Sequence, residues 1–138
     1  MCLLTGIGLT QLSAQNSNAN PNATGTYSVQ FWFSSTYWSP VYCGDQMVDF
    51  LEGGEIIVHR IGHRVEGKLL WRIEQIRGEV TSVTGEVFTI RELDKTDAIE
   101  MAITWKYNLH GSWGNHYLGI LTQNLLTGEI TVGPTICN

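Results

Sequence analysis

The sequence predicts an all-β domain of about eight antiparallel strands, folded as a small β-barrel or a β-sandwich. Apolar and polar residues alternate along much of the chain after Gly25, which is the period of a half-buried strand. Short segments that contain glycine and other turn residues separate the alternating runs. Alternation alone does not separate the two architectures; the barrel is preferred.

The clearest strand signal lies between Met101 and Leu109, where large apolar residues occupy every second position. The run Tyr27–Phe33 alternates in the same way and places Trp32 on its polar face. Gly53-Gly54 follows another run. The pattern apolar-Thr-Gly-Glu occurs at residues 83–86 and again at residues 126–129. Both patterns are typical of turns between strands. The shorter alternating runs are Val48–Leu51, Glu55–Ile61, Glu86–Arg91, Tyr117–Gln123 and Glu129–Val132.

Two segments are harder to assign. The apolar residues of Lys68–Arg77 fit both a helix and a strand. We prefer a strand with a bulge near Glu74 or Gln75, because no good helix cap precedes the segment. The charged segment Glu92–Ile99 is predicted to be a loop that holds a single helical turn.

An export signal and a linker are predicted ahead of this domain. Residues 1–44 contain no Asp, Glu, Lys or Arg. The apolar stretch Cys2–Leu12 ends in small residues at Ser13 and Ala14, as signal peptidase requires, although no basic residue precedes it. Residues 1–14 are therefore predicted to be a signal peptide, 15–25 a flexible Asn-rich linker and 26–138 the all-β domain. The alternative is that Cys2–Leu12 forms a short buried strand or helix.

The cysteines agree with export. The chain has three, Cys2, Cys43 and Cys137, and removal of the signal peptide would leave an even number. We therefore predict a disulfide between Cys43 and Cys137 and a secreted or periplasmic location. The alternatives are free thiols, or a lipid anchor at Cys2, for which Met1 is not the small preceding residue that such an anchor needs.

Composition argues against several classes of protein. The net charge is -5, which disfavours a nucleic-acid-binding surface. The chain contains no apolar run long enough for a transmembrane helix. We predict no cofactor, and two well-separated cysteines make a zinc knuckle improbable.

Aromatic residues give the strongest indication of binding. Trp38 and Tyr42 belong to a dense aromatic run, and Trp113 lies between two glycines at the predicted tip of a hairpin. Exposed aromatic rings on a rigid β-scaffold are suited to stacking on a sugar or to entering a partner's pocket. Arg60 is added as a residue that would meet an acidic ligand, although an exterior, solvent-screened position is the simpler expectation for it.

Histidines supply a second, weaker hypothesis. His110 and His116 flank a five-residue loop and are expected to face each other across a hairpin. Together with His59 or a carboxylate such as Asp49 or Glu52, they would form a metal site. Ordinary histidines at strand ends are the alternative.

These features lead to three hypotheses for function. The first is an exported, non-enzymatic binding module for a small ligand or glycan. The second is a structural or adhesion domain whose partner is another extracellular protein. The third is a small hydrolase or metal-dependent enzyme that uses the histidines. We favour the first, and we assign no catalytic residues.

Overall fold

The computed structural model describes residues 23–34 and 38–138, and this part of the chain is all-β, as predicted. The predicted signal peptide and nearly all of the linker lie outside the described residues. No helix in the described residues is long and apolar enough to cross a membrane. The eight strands are β1 (Gly25–Ser34), β2 (Trp38–Cys43), β3 (Gln46–Val65), β4 (Lys68–Ser82), β5 (Val87–Asp97), β6 (Ala102–Gly111), β7 (His116–Asn124) and β8 (Ile130–Cys137).

All eight strands belong to one antiparallel sheet with the order β1-β3-β4-β5-β6-β7-β8. From β3 onward, each strand pairs with the next one along the chain, as expected where short turns connect antiparallel neighbours. Strand β3 has partners on both sides along its length. Its second half pairs with β1 from Glu55 to Arg64, and its first part pairs with β2 from Gln46 to Glu52.

One face of the sheet, which we call the inner face, carries the core. Buried apolar side chains project from alternate positions of the central strands, and the opposite, outer face carries most of the exposed residues. Burial of these side chains supplies the main driving force for folding. The core residues are Val41, Leu51, Ile56, Val58, Ile76, Val80, Phe88, Ile90, Trp105, Tyr107, Leu109 and Leu121.

The predicted turn at Gly53-Gly54 between two separate strands is wrong, because β3 is a single strand that includes both glycines. Both glycines have positive φ angles, +84° and +134°, yet the strand continues through them and bends. Gly54 pairs with Val80 of β4, and an added Cβ atom would lie 2.3 Å from the backbone oxygen of Glu79. Glycine is therefore required here both by backbone conformation and by the close approach of β4.

Replacing Gly54 by alanine is expected to lower the free energy of unfolding by about 2 kcal/mol, from strain and a backbone collision together. Gly53→Ala is the matched control, because its added Cβ would have no atom within 4 Å. That control is expected to lose only about 1 kcal/mol through backbone strain. Urea unfolding of both variants measures the difference, and equal losses would contradict the close approach of β3 and β4.

Two further boundaries differ from the sequence prediction. The segment 68–77 is a strand, as preferred, but its bulge is not near Glu74 or Gln75. The register with β3 shifts between His63 and Arg64, so the unpaired residue of the bulge in β4 is Leu70. The predicted loop 92–99 is wrong, because β5 continues to Asp97. The turn begins only there, where the Asp97 carboxylate accepts the backbone N–H groups of residues 99 and 100.

Strand β2 brings the two ends of the sheet together at one end of the molecule. It contacts β7 and β8, and the predicted disulfide joins Cys43 to Cys137 with a Cα–Cα distance of 5.9 Å. The Gly44 N–H donates a hydrogen bond to Thr135, and the Tyr107 hydroxyl donates one to the backbone oxygen of Tyr42. Strand β1, in contrast, contacts only β3 among the strands. Hydrogen bonding does not close the described sheet, so the choice between barrel and sandwich stays a prediction.

Candidate ligand-binding site

The inner face changes from apolar to charged toward the end where β1 and β8 do not meet. Five ionisable side chains occupy inward positions there, two from β4, two from β5 and one from β3. Arg60, Glu74 and Asp94 lie side by side across three strands, and Trp105 follows on the fourth. We call this group the charged cluster; its members are Arg60, Arg72, Glu74, Glu92 and Asp94.

Glu74 holds the two arginines of the charged cluster. Its carboxylate accepts a hydrogen bond from Arg60 Nε, and Arg72 Nε lies 3.7 Å from the same oxygen. Glu74 is buried, whereas the two arginine side chains are 26% and 29% exposed. The two arginine side chains therefore lie between the buried Glu74 carboxylate and the solvent.

The acidic side of the charged cluster is Glu92 and Asp94, which are 6% and 5% exposed. Burial, the charge of Glu92 and a hydrogen bond with Glu92 raise the pKa of Asp94 from 3.8 to about 11. Asp94 is therefore protonated at neutral pH and shares its proton with its neighbour. The charged cluster then has two guanidinium cations, two carboxylate anions and one neutral carboxyl, which makes it electrically neutral.

Oδ1 of Asp94 and Nε of Arg72 have no hydrogen-bond partner within the described residues, although both atoms are inaccessible to solvent. Buried polar groups are usually satisfied, because an unmade hydrogen bond costs about 1–3 kcal/mol. An acceptor and a donor without partners in one group of side chains are available to a hydroxyl group of water or of a ligand.

Aromatic rings surround the arginine side of the charged cluster. The Arg60 guanidinium lies 4.7 Å from the centre of the Phe31 ring, and the Arg64 guanidinium lies 4.9 Å from the centre of the Tyr27 ring. Tyr27 covers Gly62, where an added Cβ atom would come within 2.5 Å of the phenol ring. These cation–π contacts hold the arginine side chains in place on the inner face.

Strands β1 and β8 do not contact each other, and their inner-face residues are only partly buried. Tyr27 and Val29 of β1 and Val132 of β8 are half-buried inner-face residues. Arg60 and Arg72, whose side chains are 26% and 29% exposed, are the members of the charged cluster with the most contact with solvent.

The residues predicted to bind ligand do not come together. Arg60 lies on the inner face in the charged cluster rather than at an exterior position, so the exterior expectation is wrong for it. Tyr42 packs against the core near the disulfide, and Trp113 lies 64% exposed at the tip of the β6–β7 hairpin. The side chain of Trp38 lies outside the described residues.

The hairpin loop that carries Trp113 is held by a buried carboxylate. The Trp113 backbone N–H donates to Oε1 of Glu86 at 2.9 Å, and the Asn115 side-chain amide donates to Oε2 at 2.6 Å. Glu86 is only 1% exposed. This anchoring presents Trp113 to solvent on a rigid loop.

The histidine pair forms as predicted, but its expected third ligand lies elsewhere. The rings of His110 and His116 stack with their centres 4.1 Å apart, and His116 Nε2 is 2.9 Å from the Asn108 side-chain oxygen. His59 lies on β3, three strands away, within hydrogen-bond distance of Ser28. No group of three or more His, Cys, Asp or Glu residues within 23–34 and 38–138 is arranged to hold a metal.

Four members of the charged cluster, Arg72, Glu74, Glu92 and Asp94, were missed in the sequence. The signal that would have found two of them is the alternation of β5, where Glu92 and Asp94 share a face with Phe88 and Ile90.

A scan of family models found no match to this chain, and searches of the curated proteins and of the solved structures also found none. Inference about its function therefore rests on the fold and the charged cluster.

Proposed function

We propose that this chain is a small-molecule-binding domain that takes up a neutral, hydroxyl-rich ligand such as a sugar at the charged cluster. The observation that carries the proposal is that two buried atoms of one group of side chains, Asp94 Oδ1 and Arg72 Nε, have no hydrogen-bond partner within the described residues. Binding sites typically combine apolar walls with a few placed polar groups, and the charged cluster beside Phe31 and Trp105 has this composition.

Charge balance favours a neutral ligand. Because Asp94 is protonated, the positive and negative charges of the cluster already cancel. An additional ion would be buried without a counter-charge, which is costly in a desolvated site. A hydroxyl group both donates and accepts, so it satisfies Asp94 Oδ1 and Arg72 Nε without changing the charge.

Binding fits the charged cluster better than hydrolysis does. Glycoside hydrolysis needs two carboxyl groups separated by about 5 Å or more, so that a sugar or a water molecule fits between them. Glu92 and Asp94 are hydrogen-bonded to each other, which leaves no such space. The arrangement therefore supports a site that recognises hydroxyl groups and leaves the ligand unchanged.

Export remains part of the proposal. The Cys43–Cys137 disulfide is typical of an oxidising compartment outside the cytoplasm, and a secreted or periplasmic domain would meet free sugars there. The predicted cleavage after Ala14 would release a mature chain that starts at Gln15.

Titration of the protein with glucose, galactose and N-acetylglucosamine is expected to shift the indole N–H resonance of Trp105, with a Kd of the order of 1 mM for at least one sugar. Trp105 lies beside Asp94, so it reports on the charged cluster, whereas the exposed Trp32 and Trp113 serve as internal controls. Arg72→Gln is expected to abolish the shift of Trp105. Lys68→Gln, at an exposed position outside the cluster, is the matched control and is expected to retain it.

Two outcomes would contradict the proposal. The first is no shift of Trp105 with any of the sugars, or shifts confined to Trp32 and Trp113, which would assign binding to the exposed aromatic residues. The second concerns pH. A neutral ligand is expected to bind equally well from about pH 6 to pH 9, because Asp94 stays protonated. A cation such as choline would bind with release of that proton, so its affinity would rise by about tenfold per pH unit. Such a rise in choline affinity with pH would indicate a cationic ligand and contradict the proposal.

A further inference from the structure

The outer face carries an unusual group of cations on the opposite side of the sheet from the charged cluster. Arg77 of β4 lies directly opposite Arg91 of β5 in the strand register, and Arg91 lies opposite Asn108 of β6. Lys106 is two residues from Asn108 on the same face. Arg77, Arg91 and Lys106 are all exposed, so three positive charges share one small area of a chain whose net charge is -5.

These three cations have no acidic partners in the described part of the chain. The ion pairs there involve Arg60 and Arg72 with Glu74, and Lys95 with Asp97. Like charges directly opposite each other on adjacent strands destabilise a sheet. Because neither arginine is paired with a carboxylate, a negatively charged ligand from outside the chain would relieve the repulsion between them.

The cations line a groove with a volume of about 400 Å³. Amide groups from Gln75 and Asn108 add hydrogen-bonding capacity, and Leu93, Leu118 and Ile120 supply an aliphatic side. Leu93 and Leu118 are 39% and 38% exposed, which leaves their side chains available for contact. The groove therefore offers positive charge and aliphatic surface together, in a volume suited to a small molecule.

We propose that this groove binds an organic anion with an aliphatic part, such as an alkyl phosphate or a fatty-acid carboxylate. The anionic group would contact Arg77 and Arg91, whose guanidinium groups bind phosphate and carboxylate with charge-assisted hydrogen bonds. The aliphatic part would lie along Leu93 and Leu118. A long polyanion such as nucleic acid fits poorly, because the remaining charge of the chain is strongly negative.

Calorimetric titration with octyl phosphate below its micelle concentration tests the proposal. The double variant Arg77→Gln/Arg91→Gln is expected to weaken binding by about tenfold or more, because two charge-assisted contacts are lost. Leu118→Thr is expected to weaken octyl phosphate binding several-fold and to leave binding of inorganic phosphate unchanged. Lys68→Gln, which removes an exposed charge outside the groove, is the matched control and is expected to bind as the wild type does.

The double variant is expected to fold, because it relieves repulsion between two exposed arginines, and an unchanged or higher Tm verifies this. Equal binding by the wild type and the double variant would overturn the proposal. So would equal affinity for octyl phosphate and inorganic phosphate, since the aliphatic side would then contribute nothing. Binding of neutral 1-octanol, which has no sugar group, with the affinity of octyl phosphate would also overturn it. None of these outcomes depends on the sugar site, which lies on the opposite face.

Discussion

Replacing Cys43 and Cys137 together by serine is expected to lower the free energy of unfolding by about 4–5 kcal/mol. The two cysteines are 94 residues apart, and a cross-link over so long a loop removes much conformational entropy from the unfolded chain. The disulfide also joins β2 to β8, which have no hydrogen-bond ladder between them among the described strands. Without the disulfide, only a few hydrogen bonds and apolar contacts hold β2 against β7 and β8.

Urea unfolding of the double serine variant and of the wild type, with and without reductant, measures this effect. The reduced wild type is expected to match the variant, and the oxidised wild type to unfold at clearly higher urea. Intact mass of the protein recovered from an export route is expected to show a chain starting at Gln15 and lighter by the two hydrogens lost in the disulfide. Free thiols with unchanged stability would contradict both the disulfide and the argument for export.

The alternation of the sequence was sufficient to predict the class of fold. Alternate burial in β5 and β6 follows the printed sequence closely, because one face of each strand packs on a core and the other meets solvent. The disulfide was also predictable, since removal of the predicted signal peptide would leave Cys43 with one possible partner, Cys137.

The course of β3 was not predictable from local sequence. A Gly-Gly pair is compatible with a turn between two strands and with a bend inside one strand. Here β4 pairs on both sides of the bend, from Leu51 to Val65, and this long-range pairing keeps the strand continuous. A local pattern contains no information about a partner that follows later in the chain.

The charged cluster was missed for a related reason. Charged residues in a strand are expected on the solvent face, and the sequence does not indicate which face of β4 or β5 is covered. Arg60 and Glu74 were not predicted to pair on the inner face, because they lie 14 positions apart and become neighbours only through strand register. Of the aromatic residues chosen instead, Tyr42 packs against the core near the disulfide and Trp113 lies at a hairpin tip.

Asp94→Asn is expected to make the protein more stable, by an amount that grows with pH. Asp94 holds its proton in the folded state up to a pKa of about 11 but releases it near 3.8 when unfolded. Between these values the folded state binds more protons, so stability falls as pH rises, by at most about 1.4 kcal/mol per pH unit for one group. Asparagine stays neutral at every pH and donates a hydrogen bond to Glu92 in place of the carboxyl proton, so this loss disappears.

Urea unfolding at about pH 5, 7 and 9 is the measurement. The Asp94→Asn variant is expected to resemble the wild type at the lowest pH and to exceed it by about 2 kcal/mol or more at the highest. Asp97→Asn, three residues along the same strand, is the control. The pKa of Asp97 is lowered by backbone N–H groups of Glu100 and Ile99, so its contribution to stability is present at neutral pH and is lost in acid. This control therefore has the opposite sign.

Glu74→Gln supplies the complementary test of charge balance. It removes the buried carboxylate that pairs with Arg60 and Arg72, and leaving these partly buried cations unpaired costs up to about 3 kcal/mol. The loss is expected to be greatest at low pH and smaller at high pH, because Asp94 would then ionise more readily and replace the missing negative charge. Equal behaviour of the Glu74 and Asp94 variants at every pH would show that the five side chains do not act as one balanced cluster, which would also remove the basis for a neutral ligand.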